Sequence, residues 1–113
     1  MLRHPRKKLD AHLEFIRTLP SVIHGHGHVE AAHIRMGSPL YGKRLTGMAE
    51  KPDDMWVVPL ASSVHLEQHR GSERNFWVKH GINPLILAAL LWLHSGDEDA
   101  ATTVIRNARS LVQ

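Results

Sequence analysis

Ten of the 113 residues are histidine and none is cysteine. Disulfides and thiolate metal sites are therefore excluded. Any metal must be held by nitrogen and oxygen ligands, which suits zinc, nickel, manganese or magnesium. In His65-Leu66-Glu67-Gln68-His69 two histidines stand four apart. On a helix both imidazoles lie on one face, one turn apart, where they can share a divalent ion. The same spacing arises by chance on solvated helix faces. Its weight comes from a third histidine, His33 in Ala32-His33-Ile34-Arg35, which ends a predicted strand.

The remaining histidines carry less. His24, His26 and His28 alternate with glycine, so they would share one face of a strand and could converge on a metal. The composition reads more simply as a flexible surface loop. His4, His12, His80 and His94 have no partner at a telling spacing and read as surface or helix-end residues. Trp56, Phe76 and Trp77 are expected to be core anchors, and Met48 and Met55 to be packing residues.

The elements that must position these side chains follow from periodicity. Leu9, Leu13, Ile16 and Leu19 keep the 3.6-residue repeat of an amphipathic helix, stopped by Pro20. Residues 21–30 read as a short strand, a His/Gly turn and a return strand. Residues 31–36 are strand-like. A long loop runs from Gly37 to Asp53, and loops of that length in a small domain are usually functional or disordered. Residues 55–60 read as a strand, residues 61–63 as a turn, and Ser63 as the N-cap of a helix from Val64. Two further helices follow. One spans residues 72–78 and ends at Gly81. The other is capped by Asn83 with Pro84 in first position and runs to about His94. A last helix opens at Asp97 or Asp99 with Ala100, Val104, Ala108 and Leu111 on one face. The fold class is α+β, a single domain over residues 1–113.

A hydrophobic fraction of 42% and a charged fraction of 22% are those of an ordinary globular protein. No apolar run reaches eighteen residues, so no membrane partner is expected. The basic N-terminus lacks the apolar core of a signal peptide, which points to the cytoplasm. Net charge is +3, with basic clusters at residues 3–8 and at Arg35, Lys43, Arg44 and Lys51. That distribution fits either a solubilising surface or a protein that meets a polyanion.

Five segments between Leu19 and about Pro84, taken in order, carry a resemblance. They are Leu19-Pro20-Ser21-Val22-Ile23-His24-Gly25, Ala32-His33-Ile34-Arg35, Gly47-Met48-Ala49-Glu50-Lys51-Pro52-Asp53-Asp54, Pro59-Leu60-Ala61 and His65-Leu66-Glu67-Gln68-His69-Arg70-Gly71. Their order and spacing resemble the HNH, or ββα-metal (His-Me finger), nucleases of phages and prophages, the group of RecA-dependent nuclease-like proteins. The resemblance implies a ββα-metal core at residues 19–82, between an N-terminal helix and C-terminal helices at residues 83–112. It matches His33 to the family's general base and Asp54 to the motif's middle Asn, which ties the loop to that base. His65 and His69 fall on metal ligands.

Phosphodiester cleavage needs a base, a divalent cation and positive groups that place the phosphate. Arg35, Lys51 and Arg70 are the candidates for the last. Two departures qualify the match. Family members often hold a structural zinc with two Cys-x-x-Cys-type pairs, but those positions here are Ser21, His24, Ala61 and Val64, so that zinc is expected to be absent. Ala32 stands where a further metal ligand is common, leaving Asp53, Asp54, Glu67 or a substrate phosphate oxygen as additional donors. The expected activity is a divalent-metal-dependent DNA endonuclease or nickase using magnesium, manganese, nickel or zinc. The alternative is an inactive HNH-fold domain that binds DNA or another protein. The run from Ile86 to Leu93, apolar nearly all round, would then be a core helix or the seam of a homodimer, with Leu85, Leu87, Leu90, Leu91 and Trp92 as the contact face.

Overall fold

Two short strands pair antiparallel, β1 (Val29–His33) with β2 (Val57–Ala61), so that Val29 lies opposite Ala61 and His33 opposite Val57. The computed structural model describes residues 9–37 and 53–111. Five helices surround the sheet: α1 (Asp10–Arg17), α2 (Ser62–Gln68), α3 (Glu73–His80), α4 (Pro84–Leu93) and α5 (Glu98–Arg106), followed by a 3-10 turn at Ala108–Leu111. The fold is α+β, as the sequence predicts.

All five residues of β2 are buried, because α1, α2 and α4 all pack on it. Pro59 can sit in its centre because the chain covers β2 without asking Pro59 for an N–H. Val22 N–H donates to Pro59 O at 3.0 Å, and Ala61 N–H donates to Ser21 Oγ at 2.8 Å. The core combines Ile16, Leu19, Ile34, Val57, Val58 and Leu60 with Trp77, Leu87 and Leu91, and Trp56 and Phe76 are buried with them.

The helix ends follow their capping residues. Ser72 Oγ accepts the Asn75 N–H, and Gly81 closes α3 at φ 67°, a left-handed conformation that glycine takes without steric cost. Asn83 Oδ1 accepts the amides of Leu85 and Ile86, with Pro84 opening α4. Asp97 Oδ1 accepts the Ala100 amide at 3.1 Å. Leu85, Leu87, Ala88 and Leu91 make α4 a core helix, with Leu93 left exposed at its end. Among the described residues no single helix is long and apolar enough to cross a membrane.

Four expectations need correction. Residues 21–28 form no strand, so the predicted hairpin over 21–30 is absent and β1 begins at Val29. The His/Gly segment supplies no apolar side chains to pair, and it instead lies against the start of α2. Ser63 is not an N-cap, because α2 already starts at Ser62. The first amides of α2 find acceptors in that segment, with Ser62 N–H on His28 O at 2.9 Å and Ser63 N–H on His26 O at 3.1 Å. The most buried residues of α5 are Ala101 and Ile105, one position on from the predicted Ala100 and Val104, although Val104 still packs against the core and Ala108 is buried as predicted. Finally, His12 is buried rather than superficial, on the α1 face that also carries Ile16. The loop predicted from Gly37 to Asp53, with Lys51, lies outside the described residues except for its two ends.

Candidate functional site: two histidine pairs on the sheet and α2

His33 is the last residue of β1, and Asp54 precedes β2 by three positions. The antiparallel pairing brings them together. His33 Nε2 lies 2.8 Å from Asp54 Oδ1, and the Asp54 carboxylate is almost wholly buried. Its other oxygen, Oδ2, accepts the Leu9 N–H at 2.9 Å just before α1. An acceptor on Nε2 makes that nitrogen the N–H and leaves the ring's lone pair on Nδ1. Asp54 thus orients His33 and is held by α1. With both oxygens so engaged, it acts as an orienting group in preference to the extra metal donor considered from the sequence.

Close to Asp54 lies His12, for which the sequence holds no signal beyond its place on the α1 apolar face. Its Nδ1 is 2.7 Å from Ser95 Oγ, its ring meets Trp92 edge-on at a centroid separation of 4.9 Å, and its Nε2 is buried with no hydrogen-bond partner. Burial lowers its pKa below the ordinary histidine value, against the opposing pull of the Asp54 charge.

The second pair lies on α2. His65 Nε2 and His69 Nε2 face each other at 3.0 Å, as helical i, i+4 spacing allows. His65 Nδ1 is 2.8 Å from Glu30 Oε1, and Glu30 Oε2 in turn accepts the His28 Nε2–H at 2.9 Å. Hydrogen bonding from His65 is the chief cause that holds the Glu30 carboxyl below its ordinary pKa, with His28 adding to it against desolvation. His69 is also shifted down. Desolvation is the largest cause, the His65 and Arg35 charges reinforce it, and Glu73 opposes. It is therefore neutral near pH 7, the form that ligates a metal.

Glu30 and His33 are three residues apart on β1 and so leave opposite sides of the strand, Glu30 toward α2 and His33 toward Asp54. Gln68 of α2 bridges the two regions. Its Nε2 reaches the Glu73 carboxylate at 3.0 Å and His33 O at 3.5 Å. The same Glu73 carboxylate accepts the backbone amides of Arg35 and Met36, which fixes the chain as it leaves β1. Arg35 is near enough to His69 to depress it, whereas Arg70 is exposed and lines a shallow concavity with Glu67, Phe76 and Lys79. Glu67, an additional donor considered from the sequence, turns away from the histidine pair to Lys79 at 3.2 Å.

Glu30 was not legible as a site residue from motifs. The signal was its place two residues before Ala32, on the same side of the strand. Among the described residues, no three His, Asp or Glu side chains form a group able to hold a metal ion. Glu30 sits behind the His65 ring, on Nδ1, not beside the facing Nε2 atoms.

The donor chemistry of the pair nevertheless fits a divalent cation. With Nδ1–H given to Glu30, a neutral His65 presents its lone pair from Nε2. Two imidazole nitrogens on one tetrahedral zinc, with bonds of about 2.0–2.1 Å, stand roughly 3.3 Å apart, near the 3.0 Å seen here. The positions implied for a structural zinc do not fit one. Ala61 and Val64 are buried and apolar, and Ser21 Oγ already accepts from Ala61 N–H and donates to Ile23 O.

The molecule is thus an α+β protein that sets an aspartate-oriented histidine and a carboxylate-backed histidine pair around one two-stranded sheet. Residues 2–95 match the model of a family described as a protein of unknown function, DUF968, and since this is most of the chain, the protein belongs to that family. No curated protein and no solved structure matches it.

Proposed function

We propose that this protein is a divalent-metal-dependent DNA endonuclease or nickase of the HNH, ββα-metal type, with His33 as general base. The observation that carries the reading is the His33–Asp54 pair. A buried carboxylate on Nε2 leaves Nδ1 as the basic nitrogen, the arrangement a general base requires. The order supports it: a strand ending on His33, a second strand, and directly after it a helix with His65 and His69.

His33 Nδ1 takes a proton from a water whose oxygen attacks phosphorus. The bond to the leaving sugar oxygen breaks, and that oxygen leaves with the electron pair and is then protonated. His65 and His69 would hold the cation, magnesium, manganese, nickel or zinc, which when bound would stabilise the charge developing on the phosphate and leaving oxygen. Arg35, next to His69, places the phosphate; Lys51 and Arg70 extend the positive surface.

Supercoiled plasmid incubated with each of the four cations tests this. Nicked circles that disappear with His33→Ala are expected. Absence of nicking with every cation would remove the nuclease reading.

One observation favours a second reading, a non-catalytic DNA-binding domain of the same fold. Ala32, beside His33, is fully buried and apolar and can donate nothing to a metal. In that case DNA binding persists, weakens steeply with salt and is unchanged by His33→Ala.

A further inference from the structure

Glu30 stands at the centre of a line of four side chains running from His28 through Glu30 and His65 to His69. Both carboxylate oxygens are taken, each by a different imidazole, at 2.9 Å and 2.8 Å. A surface ion pair needs one contact and leaves the carboxylate free to turn. Here His28, although itself exposed, takes Oε2 while His65 takes Oε1, so the two contacts together favour one orientation of the carboxylate. The backbone is fixed as well, because Glu30 pairs with Leu60 in the sheet, one residue from the β2 end that runs straight into α2.

We infer that Glu30 is a positioning residue for a divalent cation: by holding His65 in the Nδ1–H tautomer, it turns the Nε2 lone pair toward an ion shared with His69. The inference rests on the metal-dependent reading above and adds to it a residue outside the motif. A ligating histidine whose second nitrogen donates to a carboxylate has its tautomer and ring orientation set, and its basicity raised. Without the carboxylate, His65 is free to place its proton on Nε2, where it would meet His69 and shut the cation out. Glu30 also compensates in part for Ala32. It lies on the same side of β1 as Ala32, two residues earlier, and strengthens a pair that lacks the ligand Ala32 cannot supply.

The test compares wild type, Glu30→Gln and Glu30→Ala. Zinc affinity is measured by competition with a chromophoric chelator at fixed pH. The His65 tautomer is read from long-range nitrogen–proton correlations of the metal-free protein. Wild type is expected to show the Nδ1–H tautomer. Glu30→Ala is expected to lose that preference and to bind zinc about 10–100-fold more weakly. Glu30→Gln, which can still accept from His65, should fall between; if the alanine variant does not fold, it carries the comparison alone. Zinc affinity equal to wild type in both variants, or an Nε2–H tautomer at His65 in wild type, overturns the inference and leaves the nuclease reading standing. A wild type that binds neither zinc, nickel, manganese nor magnesium overturns both.

Discussion

Asp54 joins His33 to the start of α1, one carboxylate oxygen on the His33 ring at 2.8 Å and the other on the Leu9 amide at 2.9 Å. The orientation of the proposed base is therefore coupled to the docking of the N-terminal helix. A buried acceptor of this kind is felt most when it is removed, because each donor it served loses its partner.

Asp54→Ala is expected to lower the unfolding free energy in urea by about 1–3 kcal/mol through the Leu9 amide alone. Plasmid nicking should fall by about 10²-fold or more, as His33 loses its fixed tautomer. Asp54→Asn, whose Oδ1 can still accept the His33 Nε2–H as the motif's Asn would, should keep more nicking than Asp54→Ala, with a loss of stability because its NH2 then faces the Leu9 N–H. Lowered stability with unchanged nicking would reduce Asp54 to a structural role.

Arg35 and Arg70 should separate in a DNA experiment. Arg35 lies by His69, and Arg70 lines the concavity beside Glu67 and Lys79. Arg35→Gln is expected to reduce both nicking and binding, and to lessen the slope of log affinity against log salt by about one. Arg70→Gln should weaken binding while leaving the cleavage rate of bound DNA near wild type. Equal effects of the two on cleavage would disprove the assignment of Arg35 as the phosphate-placing residue.

His12 predicts a pH dependence of stability. Its folded pKa lies below the unfolded value of 6.5, so between the two the unfolded chain binds more protons and stability rises with pH. The contribution is fully present above about pH 6.5 and is lost as pH falls through the folded value. Asp54 is the charged group facing His12; Ser95 and Trp92 complete its surroundings. Urea unfolding between pH 7.5 and 5.5 should show a shallower slope for His12→Phe, which keeps a ring against Trp92. Parallel slopes for variant and wild type would rule His12 out.

Two glycines define how closely the segment before β1 approaches α2. A Cβ at Gly25 would run into Val64 Cγ2 and Ser63 Oγ, and Gly27 holds φ 92° with Ser62 Oγ against it. Gly25→Ala and Gly27→Ala are each expected to destabilise by about 1–3 kcal/mol, seen as a lowered thermal midpoint. Wild-type melting of either variant would show that the contact yields.

Much of this was legible in the sequence because it is local. Asn83 and Asp97 cap the helices they precede, and Gly81 closes α3, since each effect is completed within a turn of the residue that causes it. The His65/His69 face follows from helical spacing in the same way. What failed depends on partners far along the chain. The alternation at residues 21–30 has the period of a strand, but the partners of that segment are β2 and the first turn of α2, not itself. His12 and Glu30 look like solvated residues until α1 and α2 are docked on the sheet, and only then do Ser95 and His65 come within reach. The His33–Asp54 contact could be anticipated by resemblance, though nothing in the spacing of the two residues requires it.

Helix α2 borrows the acceptors for its first amides from far back in the chain, Ser62 N–H donating to His28 O and Ser63 N–H to His26 O, while the Ser62 hydroxyl also donates to His26 O, 36 positions earlier. A helix of seven residues is too short to persist alone. The histidine pair it carries therefore depends on contacts between residues more than thirty positions apart in the chain, and forms only when these have closed. Amide hydrogen exchange at Ser62 and Ser63 would time that closure and, with it, the moment the site comes into being.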